Sequence, residues 1–477
     1  MEIKKQTFNG VFWSAVERFS VQGVQFLIQA ILMRRLMPDA FGLIAILLVF
    51  IAISQSIIDS GFSNALIRKK DRTEEDFATA FYFNLILGVV LYLVLFFLAP
   101  IIANFYNDQR LIPLTRIISV VLLINSFTIV QRTQLIVKVD FKTQAKASLI
   151  AILFAGCISI FMAYRGFGVW SLVFQEICYR LINMVLLWVY SKWVPKRVFS
   201  IKSLREMFAF GSRLLVAGLL DTIYRQLYNL VIGKRFSKSE LGFYSRADVI
   251  SQFPSMNISN ILGRVTFPIL SHIQDDDKHL AHVYRKYLRL SAFVIFPLMM
   301  GLSALASPLV IFFFTEKWSG AIIFLQIICF AYMWFPIHAI NLNLLQVKGR
   351  SDLFLRLEII KKAVGVIILV ITIPFGIKAM CYGLILNSII ALIVNTHYTG
   401  ILINVGFFKQ MKDLLPTLLY SLTMFIGVFF LIKLFDSNIV KILLGLSLGA
   451  IYYIFISYIT KSEELKDIIQ LIKKRGK

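Results

Sequence analysis

Charged residues are scarce in this chain, since they make up only 16% of its 477 positions. Soluble proteins place charge at about a quarter of their positions, so the shortage excludes a soluble enzyme. Hydrophobic residues make up 58% of the chain and include 43 Phe. This apolar excess excludes a disordered chain. The composition therefore predicts a polytopic membrane protein.

Residues that hold metals or nucleotides are also few. The chain has only five His and four Cys, and no H-x-x-x-H, H-E-x-x-H or C-x-x-C spacing occurs. The phosphate-binding pattern G-x-x-x-x-G-K-[ST] is missing as well, which excludes ATP-driven transport by this chain. We therefore predict no metal site, no cofactor and no catalytic residues. The cysteines, interpreted as small apolar side chains, are Cys157, Cys178, Cys329 and Cys381.

Long apolar runs dominate what remains. A helix that crosses a bilayer needs about 20 mostly apolar residues, and fourteen runs of roughly this kind occur. They predict an all-α polytopic membrane protein with about 14 transmembrane helices. The runs are 11–33, 41–67, 77–102, 113–137, 147–164, 168–190, 209–232, 248–271, 287–314, 319–345, 356–374, 379–402, 413–434 and 438–460.

The basic excess of the chain follows its predicted loops. The formal net charge is +24, from 50 Lys and Arg against 26 Asp and Glu. If the N-terminus lies in the cytoplasm, the loops on that side hold most of these basic residues, as the positive-inside rule requires. We therefore expect a bacterial inner-membrane protein with both termini cytoplasmic and no nucleic-acid partner. The tail 461–477 is expected to form an amphipathic helix on the anionic leaflet.

Three pairs of segments indicate an internal repeat. RLMPDAFGL at 35–43 resembles RFSKSELGF at 235–243, and each pair stands at the same place in the order of spans. The pattern predicts an N-lobe at 1–200, a C-lobe at 201–410, two extra helices at 411–460 and a cytoplasmic tail at 461–477. Because six spans is an even number, the lobes should be a parallel repeat. Chance similarity of short connectors is the alternative. The other pairs are 98–106 with 306–314, and 135–141 with 345–351.

Six arginines fall inside predicted spans. A charged side chain at a helix centre costs about 2.5–3.5 kcal/mol on insertion scales, so these groups must meet water, an acid or the membrane surface. Arg132 and Arg213 lie near span ends and are expected to reach the surface. The remaining four are predicted to bind an anionic head group in a cavity: Arg18, Arg180, Arg225 and Arg264.

Two of these arginines have an acid four residues earlier on the same helix. Asp221 precedes Arg225 and Glu176 precedes Arg180, which is the favourable order for an ion pair. A purely structural pair is the alternative, above all for Glu176 and Arg180. Asp59, Asp221 and Asp248 are candidates for coupling to H⁺ or Na⁺, with a structural role again as the alternative. Arginine binds phosphate well and stays charged, so the cavity is expected to be cationic or near neutral and to bind an anion.

Two stretches resemble a known family. ERFSVQGVQFLIQAILMRRLMPDAFGLIAILLVFIAISQSIIDSGFSNALI at 17–67 and RADVISQFPSMNISNILGRVTFPILSHIQDD at 246–276 look like bacterial polysaccharide-export flippases. These belong to the multidrug/oligosaccharidyl-lipid/polysaccharide transporter superfamily. The resemblance covers about residues 8–410. It implies a V-shaped pair of lobes around a central cavity. It also implies transfer of undecaprenyl-diphosphate-linked oligosaccharide from the inner to the outer leaflet by alternating access, with membrane lipids as further partners.

Two other functions remain alternatives at this point. A multidrug exporter on the same fold would have a cavity rich in carboxylates, and the arginines argue against it. A membrane polysaccharide polymerase or glycosyltransferase would need a large external loop or paired catalytic carboxylates, and neither is evident. The sequence therefore predicts a transporter and not an enzyme.

Overall fold

The computed structural model describes the backbone of residues 2–59 and 61–475. It describes the side chains of the same ranges except those of 2–12, 14–18, 210, 213 and 471–475. Over these residues the regular structure is helical, with no strand. The predicted all-α class is therefore confirmed.

Twenty α-helices follow one another along the described chain, and each of the fourteen predicted runs is mostly helical, with breaks inside several of them. Their bounds are α1 Glu2–Arg35, α2 Pro38–Asp59, α3 Phe62–Arg68, α4 Glu74–Tyr106, α5 Leu111–Ile118, α6 Val120–Ser126, α7 Ile129–Val137, α8 Phe141–Tyr164, α9 Trp170–Ser191, α10 Ile201–Arg235, α11 Lys238–His272, α12 Asp277–Ala304, α13 Ala306–Phe314, α14 Gly320–Tyr332, α15 Phe335–Val347, α16 Ser351–Thr372, α17 Gly376–Ile403, α18 Phe407–Leu431, α19 Asn438–Ile459 and α20 Glu463–Arg475.

Ten helical segments of the described residues are long and apolar enough to cross a membrane. An eleventh is a bent pair, Ile201–Ala209 with Leu214–Arg235. One of the ten, Ser351–Ile403, is 53 residues long and contains two of the predicted runs. The chain is thus a multi-pass membrane protein, and the number of fourteen spans stays a prediction.

Short polar side chains determine where several helices begin. Thr73 and Asp76 form a reciprocal capping box at the start of α4, in which each side chain accepts a hydrogen bond from the other residue's backbone N–H. Asp140 caps α8 and Asp276 caps α12 by accepting backbone N–H groups of the first turn. Such caps satisfy donors that a helix leaves unpaired. These caps therefore help to fix where α4, α8 and α12 begin.

The chain divides into two compact units, Met1–Gly242 and Phe243–Lys477. In the first unit α8 packs between α1 and α9, while α2 and α4 pack against α10. In the second unit α12 packs against α14 and α18, and α17 packs against α14 and α16. The lobe boundaries expected from the repeat, at residues 200 and 410, stay a prediction.

A buried polar network joins the first of the two extra helices, α18, to the rest of the second unit. Gln410 on α18 donates through Nε2 to the Tyr284 hydroxyl of α12 at 3.0 Å and to Thr399 Oγ1 of α17 at 2.9 Å. The Tyr284 hydroxyl donates in turn to Asn341 Oδ1 of α15 at 2.9 Å. Buried polar groups that satisfy one another in this way hold neighbouring helices in one register.

The C-terminal tail forms a helix that pairs with α12. Lys286 lies 2.8 Å from Asp467, and Arg289 contacts Glu463 at 2.9 Å and Glu464 at 3.3 Å. The predicted tail helix is therefore present, as α20. Its position on the membrane surface stays a prediction.

Within the first unit, α2 and the first turn of α11 approach each other through two glycines. A Cβ atom added to Gly42 would lie 1.8 Å from the Lys238 carbonyl oxygen, and one added to Gly242 would lie 2.1 Å from the Pro38 carbonyl oxygen. With the offset of 200 residues that the repeat predicts, Pro38 corresponds to Lys238 and Gly42 to Gly242. The contact is therefore reciprocal, which supports the predicted repeat.

We predict that Gly42→Ala and Gly242→Ala lower the stability of the protein by about 1–3 kcal/mol each, because a methyl group cannot fit against a backbone carbonyl and the helices must separate. Thermal unfolding of the detergent-solubilised protein measures the effect. Gly427→Ala is the matched control, since no heavy atom lies within 4 Å of the position its Cβ would take. Melting curves that are the same for Gly42→Ala and the control would show that the close crossing is absent.

Candidate functional site

A cavity of about 670 Å³ lies within the first unit. It is lined by residues of α2, α3, α6, α9 and α10, and many of them are polar although these helices are mostly apolar. Polar walls inside a membrane protein are costly unless they serve water or a ligand. The polar and charged lining residues are Gln55, Ser56, Asp59, Asn64, Asn125, Glu176, Arg180, Asp221, Thr222, Arg225 and Gln226.

The cavity lies where two helices are interrupted. Helix α2 ends at Asp59 and α3 begins at Phe62, with Gly61 at φ 75° between them. A Cβ atom on Gly61 would lie 2.8 Å from the Cα atom of Gly211. Close to Gly211, α10 bends by 54° between its two segments. Glycine has no side chain, so the backbones can meet at Gly61 and Gly211. The break between α2 and α3 and the bend in α10 lie beside this contact, and the polar cavity lies next to these interruptions, as in transporters with discontinuous helices.

Two arginine–carboxylate pairs from different helices line the cavity. On α9, Arg180 Nε donates to Glu176 Oε1 at 2.8 Å. On α10, Arg225 Nε lies 2.8 Å from Asp221 Oδ2. In both pairs the carboxylate is contacted by Nε, so the terminal nitrogens of each guanidinium keep four of its five N–H donors for other ligands.

Both pairs are partly open to the cavity. The side chain of Arg225 is 61% exposed and that of Asp221 is 39% exposed. The corresponding values for Arg180 and Glu176 are 37% and 28%. These groups are thus accessible to a ligand that enters the cavity.

A third carboxylate, that of Asp59, belongs to a chain of amides. Asn125 of α6 donates through Nδ2 to Gln55 Oε1 at 2.6 Å, and Gln55 donates through Nε2 to Asp59 Oδ1 at 3.1 Å. Asp59 also interacts electrostatically with Arg132 and Arg180. The Asp59 side chain is exposed, and its carboxylate is oriented by one uncharged donor, Gln55.

The charge of the lining is near neutral. It holds three carboxylates, those of Asp59, Glu176 and Asp221, and two guanidinium groups, so its formal charge is −1. Arg132 of α7 lies close to this lining through its interaction with Asp59 and adds a further positive charge.

The structure brings four of the predicted site residues together in this cavity: Asp59, Arg180, Asp221 and Arg225. Arg18 lies outside the described side chains. Arg264 is exposed on α11 in the second unit and does not line the cavity described above.

Asp248 also lies on α11 in the second unit, in a local cluster. It accepts the Tyr332 hydroxyl at 2.6 Å and Gln252 Nε2 at 2.9 Å. These bonds hold the carboxylate between α11 and α14. Its proposed part in ion coupling stays a prediction.

Sequence reasoning missed several uncharged residues of the lining, above all Gln55, Asn64, Asn125 and Gln226. It also treated 41–67 as one continuous run, whereas the structure interrupts it after Asp59. Two signals were present: a Ser-Gly pair at 60–61 and a Gly-Ser pair at 211–212, since such pairs are common at helix kinks. Among the described residues, no group of three or more His, Cys, Asp or Glu side chains could hold a metal ion.

One end of this unit is held by a network around Arg110 and Lys238. Arg110 donates to Asp39 at 2.8 Å and to Asp108 at 2.7 Å, and Lys238 Nζ donates to the backbone oxygens of Tyr106 and Gly233. Hydrogen bonding from Arg110 lowers the pKa of Asp108, which keeps that carboxylate ionised. With a rise of about 1.5 Å per residue, Arg225 lies roughly 15 Å along α10 from this end.

Similarity to known proteins extends over most of the chain. A family model described as "Polysaccharide biosynthesis protein" matches residues 31–323, which is more than half of the chain. The teichuronic acid biosynthesis protein TuaB of Bacillus subtilis (strain 168) is 26% identical over 354 residues, covering 74% of this chain and 73% of TuaB. The lipopolysaccharide biosynthesis protein WzxC of Escherichia coli (strain K12) is 24% identical over 402 residues, covering 83% and 80%.

Among solved structures, the lipid II flippase MurJ in an inward closed conformation is similar in fold, with a TM-score of 0.77 and 15% sequence identity. The match covers 96% of this chain and 100% of that structure. The resemblance identified from the sequence is thereby confirmed. This chain belongs to the polysaccharide biosynthesis protein family, with a fold shared with membrane flippases.

Proposed function

We propose that this protein is a flippase for lipid-linked oligosaccharides, which moves an undecaprenyl-diphosphate-linked glycan from the inner to the outer leaflet of the bacterial inner membrane. The observation that carries the proposal is the polar cavity of the first unit, where two arginines from different helices present free N–H donors inside an apolar helical body. Family membership adds support, since the relatives are named for polysaccharide biosynthesis. The prediction of a transporter and not an enzyme agrees with the MurJ-like fold.

The diphosphate is the part of the cargo that needs these arginines. Guanidinium groups bind phosphate through parallel N–H···O bonds and stay charged in any protein environment. Arg180 and Arg225 lie on α9 and α10, so they approach a bound group from two helices. A cavity of about 670 Å³ lies within the usual range for small-ligand sites, which suffices for a diphosphate and the first sugars. Arg18 and Arg264 stay proposed ligands of the same head group.

The uncharged lining residues suit the glycan. The amides of Gln55, Asn64, Asn125 and Gln226 both donate and accept hydrogen bonds, and sugar hydroxyl groups require both. The isoprenoid chain has no place among these polar groups and stays in the lipid. Alternating access by this cavity would require this arrangement, in which the cavity holds the head group and the sugars while the lipid holds the isoprenoid chain.

The membrane potential favours the proposed direction. The cell interior is negative, so an anionic head group that moves outward gains about 2.3 kcal/mol per charge per 100 mV. Protons or Na⁺ at Asp59, Asp221 or Asp248 are proposed as a second source of coupling. With both termini in the cytoplasm, the basic loops would face the leaflet from which the cargo starts.

A multidrug exporter on the same fold is the second candidate. The observation that favours it is the formal charge of the lining, because its three carboxylates outnumber its two guanidinium groups. A cationic drug would pair with those carboxylates and not with the arginines. The two candidates therefore predict opposite effects of the same substitutions.

For the flippase, Arg180→Ala and Arg225→Ala should each reduce leaflet transfer more than tenfold, because the loss of one charged donor to phosphate exceeds about 1.4 kcal/mol. The measurement is transfer of a fluorescent undecaprenyl-diphosphate oligosaccharide in proteoliposomes. Arg350→Ala is the control, since that side chain pairs with Asp352 and does not line the cavity.

Two results would contradict this proposal. One is unchanged transfer in both cavity variants with full activity in the wild type, which would show that these arginines do not bind the head group. The other is transport of a cationic dye that is lost in Asp59→Asn and kept in Arg225→Ala, which the exporter predicts.

A second prediction concerns the driving force. Transfer from the inner to the outer leaflet should accelerate when a K⁺ gradient and valinomycin make the vesicle interior negative, because the moving head group is an anion. Reversal of the potential should slow it. A lipid with an uncharged head group serves as the control, and equal rates at both polarities for the diphosphate lipid would contradict an anionic cargo.

A further inference from the structure

We propose that Asp221 and Glu176 are internal competitors of the cargo, which bind Arg225 and Arg180 in the empty cavity and are displaced when a diphosphate group enters. The inference rests on the proposed function and adds a role to it: these two carboxylates set how tightly the head group is held and help to release it.

The geometry of the two cavity pairs differs from that of a structural pair in the same protein. Arg285 binds Asp413 through two nitrogens, with Nε at 2.6 Å and Nη2 at 2.7 Å, and the Asp413 side chain is only 6% exposed. In both cavity pairs a single nitrogen, Nε, makes the contact, and all four side chains are at least 28% exposed. The cavity pairs are thus half-engaged, and their remaining donors are open to another anion.

The charge of the lining makes the carboxylates and the cargo compete. The lining carries three carboxylates and two guanidinium groups, and Arg132 beside it adds a third positive charge, so the empty cavity has no excess of positive charge for the cargo. A lipid-linked diphosphate brings about two further negative charges, and like charges that share a site raise each other's energy. The cargo can therefore be accommodated only if the carboxylates leave the guanidinium groups to it.

The spacing of the pairs allows this exchange. Asp221 and Arg225, like Glu176 and Arg180, are four residues apart on one helix. A carboxylate on the same helix face can leave its partner by rotation of its own side chain, with the backbone unchanged. Exchange of one anion for another thus needs no movement of the helices.

The two carboxylates also have a use when the site is empty. When the head group leaves, an arginine without a partner inside the membrane is costly. Asp221 and Glu176 re-form their ion pairs at that moment, so release does not leave an isolated charge. A site without them would bind the cargo more tightly and release it more slowly.

Binding and transport measured on the same variants test the proposal. The full-length protein in lipid nanodiscs is titrated with farnesyl diphosphate, which carries the diphosphate but no sugar. Asp221→Asn and Glu176→Gln should each tighten binding by about tenfold, which corresponds to 1.4 kcal/mol. In proteoliposomes the same variants should transfer lipid-linked oligosaccharide more slowly. Asp352→Asn is the control, because it removes an arginine's partner outside the cavity.

The outcomes separate this inference from the function on which it rests. If both carboxylate variants bind farnesyl diphosphate as the wild type does, or more weakly, while Arg225→Ala weakens binding, the competition is disproved and the proposed function stands. If Arg180→Ala and Arg225→Ala also leave binding unchanged, the cavity does not hold the head group and both proposals fail. Two independent carboxylate variants, each checked by its melting temperature, guard against a single misfolded protein.

Discussion

The cost of placing a guanidinium group inside the membrane governs the arrangement of the first unit. Each buried arginine would cost about 2.5–3.5 kcal/mol at a helix centre. The chain offsets this cost with an acid one turn earlier on the same helix, at 2.8 Å from Nε in both cavity pairs. The charge is kept and most of the donors stay available. A charged site can therefore exist in the apolar body before any ligand arrives.

Backbone interruptions provide the space around these pairs. Helix α2 stops at Asp59, Gly61 takes a left-handed conformation, and the backbone there approaches Gly211 of α10. Toward the other end of the unit, Gly42 and Gly242 let two helices cross at the distance of backbone contact. Glycine thus acts at both places by allowing backbones to meet, once beside the cavity and once where α11 begins.

The helical architecture could be predicted from the sequence because long apolar runs are a strong signal in a membrane protein. The ion pairs could also be predicted, since a spacing of four residues places Asp221 beside Arg225 without any knowledge of the tertiary fold. The break at Gly61 was missed because the residues on both sides of it are mostly apolar, so the hydropathy averaged over the run stays high. The hydrogen-bonded chain from Asn125 through Gln55 to Asp59 was missed because it depends on how α6 rotates against α2, which local sequence does not reveal.

Local sequence also does not show which of the charged residues share one cavity. Arg180 and Arg225 lie on helices that pack within one unit, and both line its cavity. Asp248 is an aspartate within a predicted span, like Asp59 and Asp221, yet it bonds to Tyr332 and Gln252 in the second unit. A single sequence identifies costly charges, but the packing of the helices decides which of them share a site.

The two cavity arginines are the proposed ligands of the diphosphate. A cryo-EM structure of the protein with an isoprenoid diphosphate bound is the sharpest test of that proposal. We expect phosphate oxygens within about 2.7–2.9 Å of the terminal nitrogens of Arg180 or Arg225, with the paired carboxylate turned away. A diphosphate bound elsewhere, with both ion pairs intact, would contradict it.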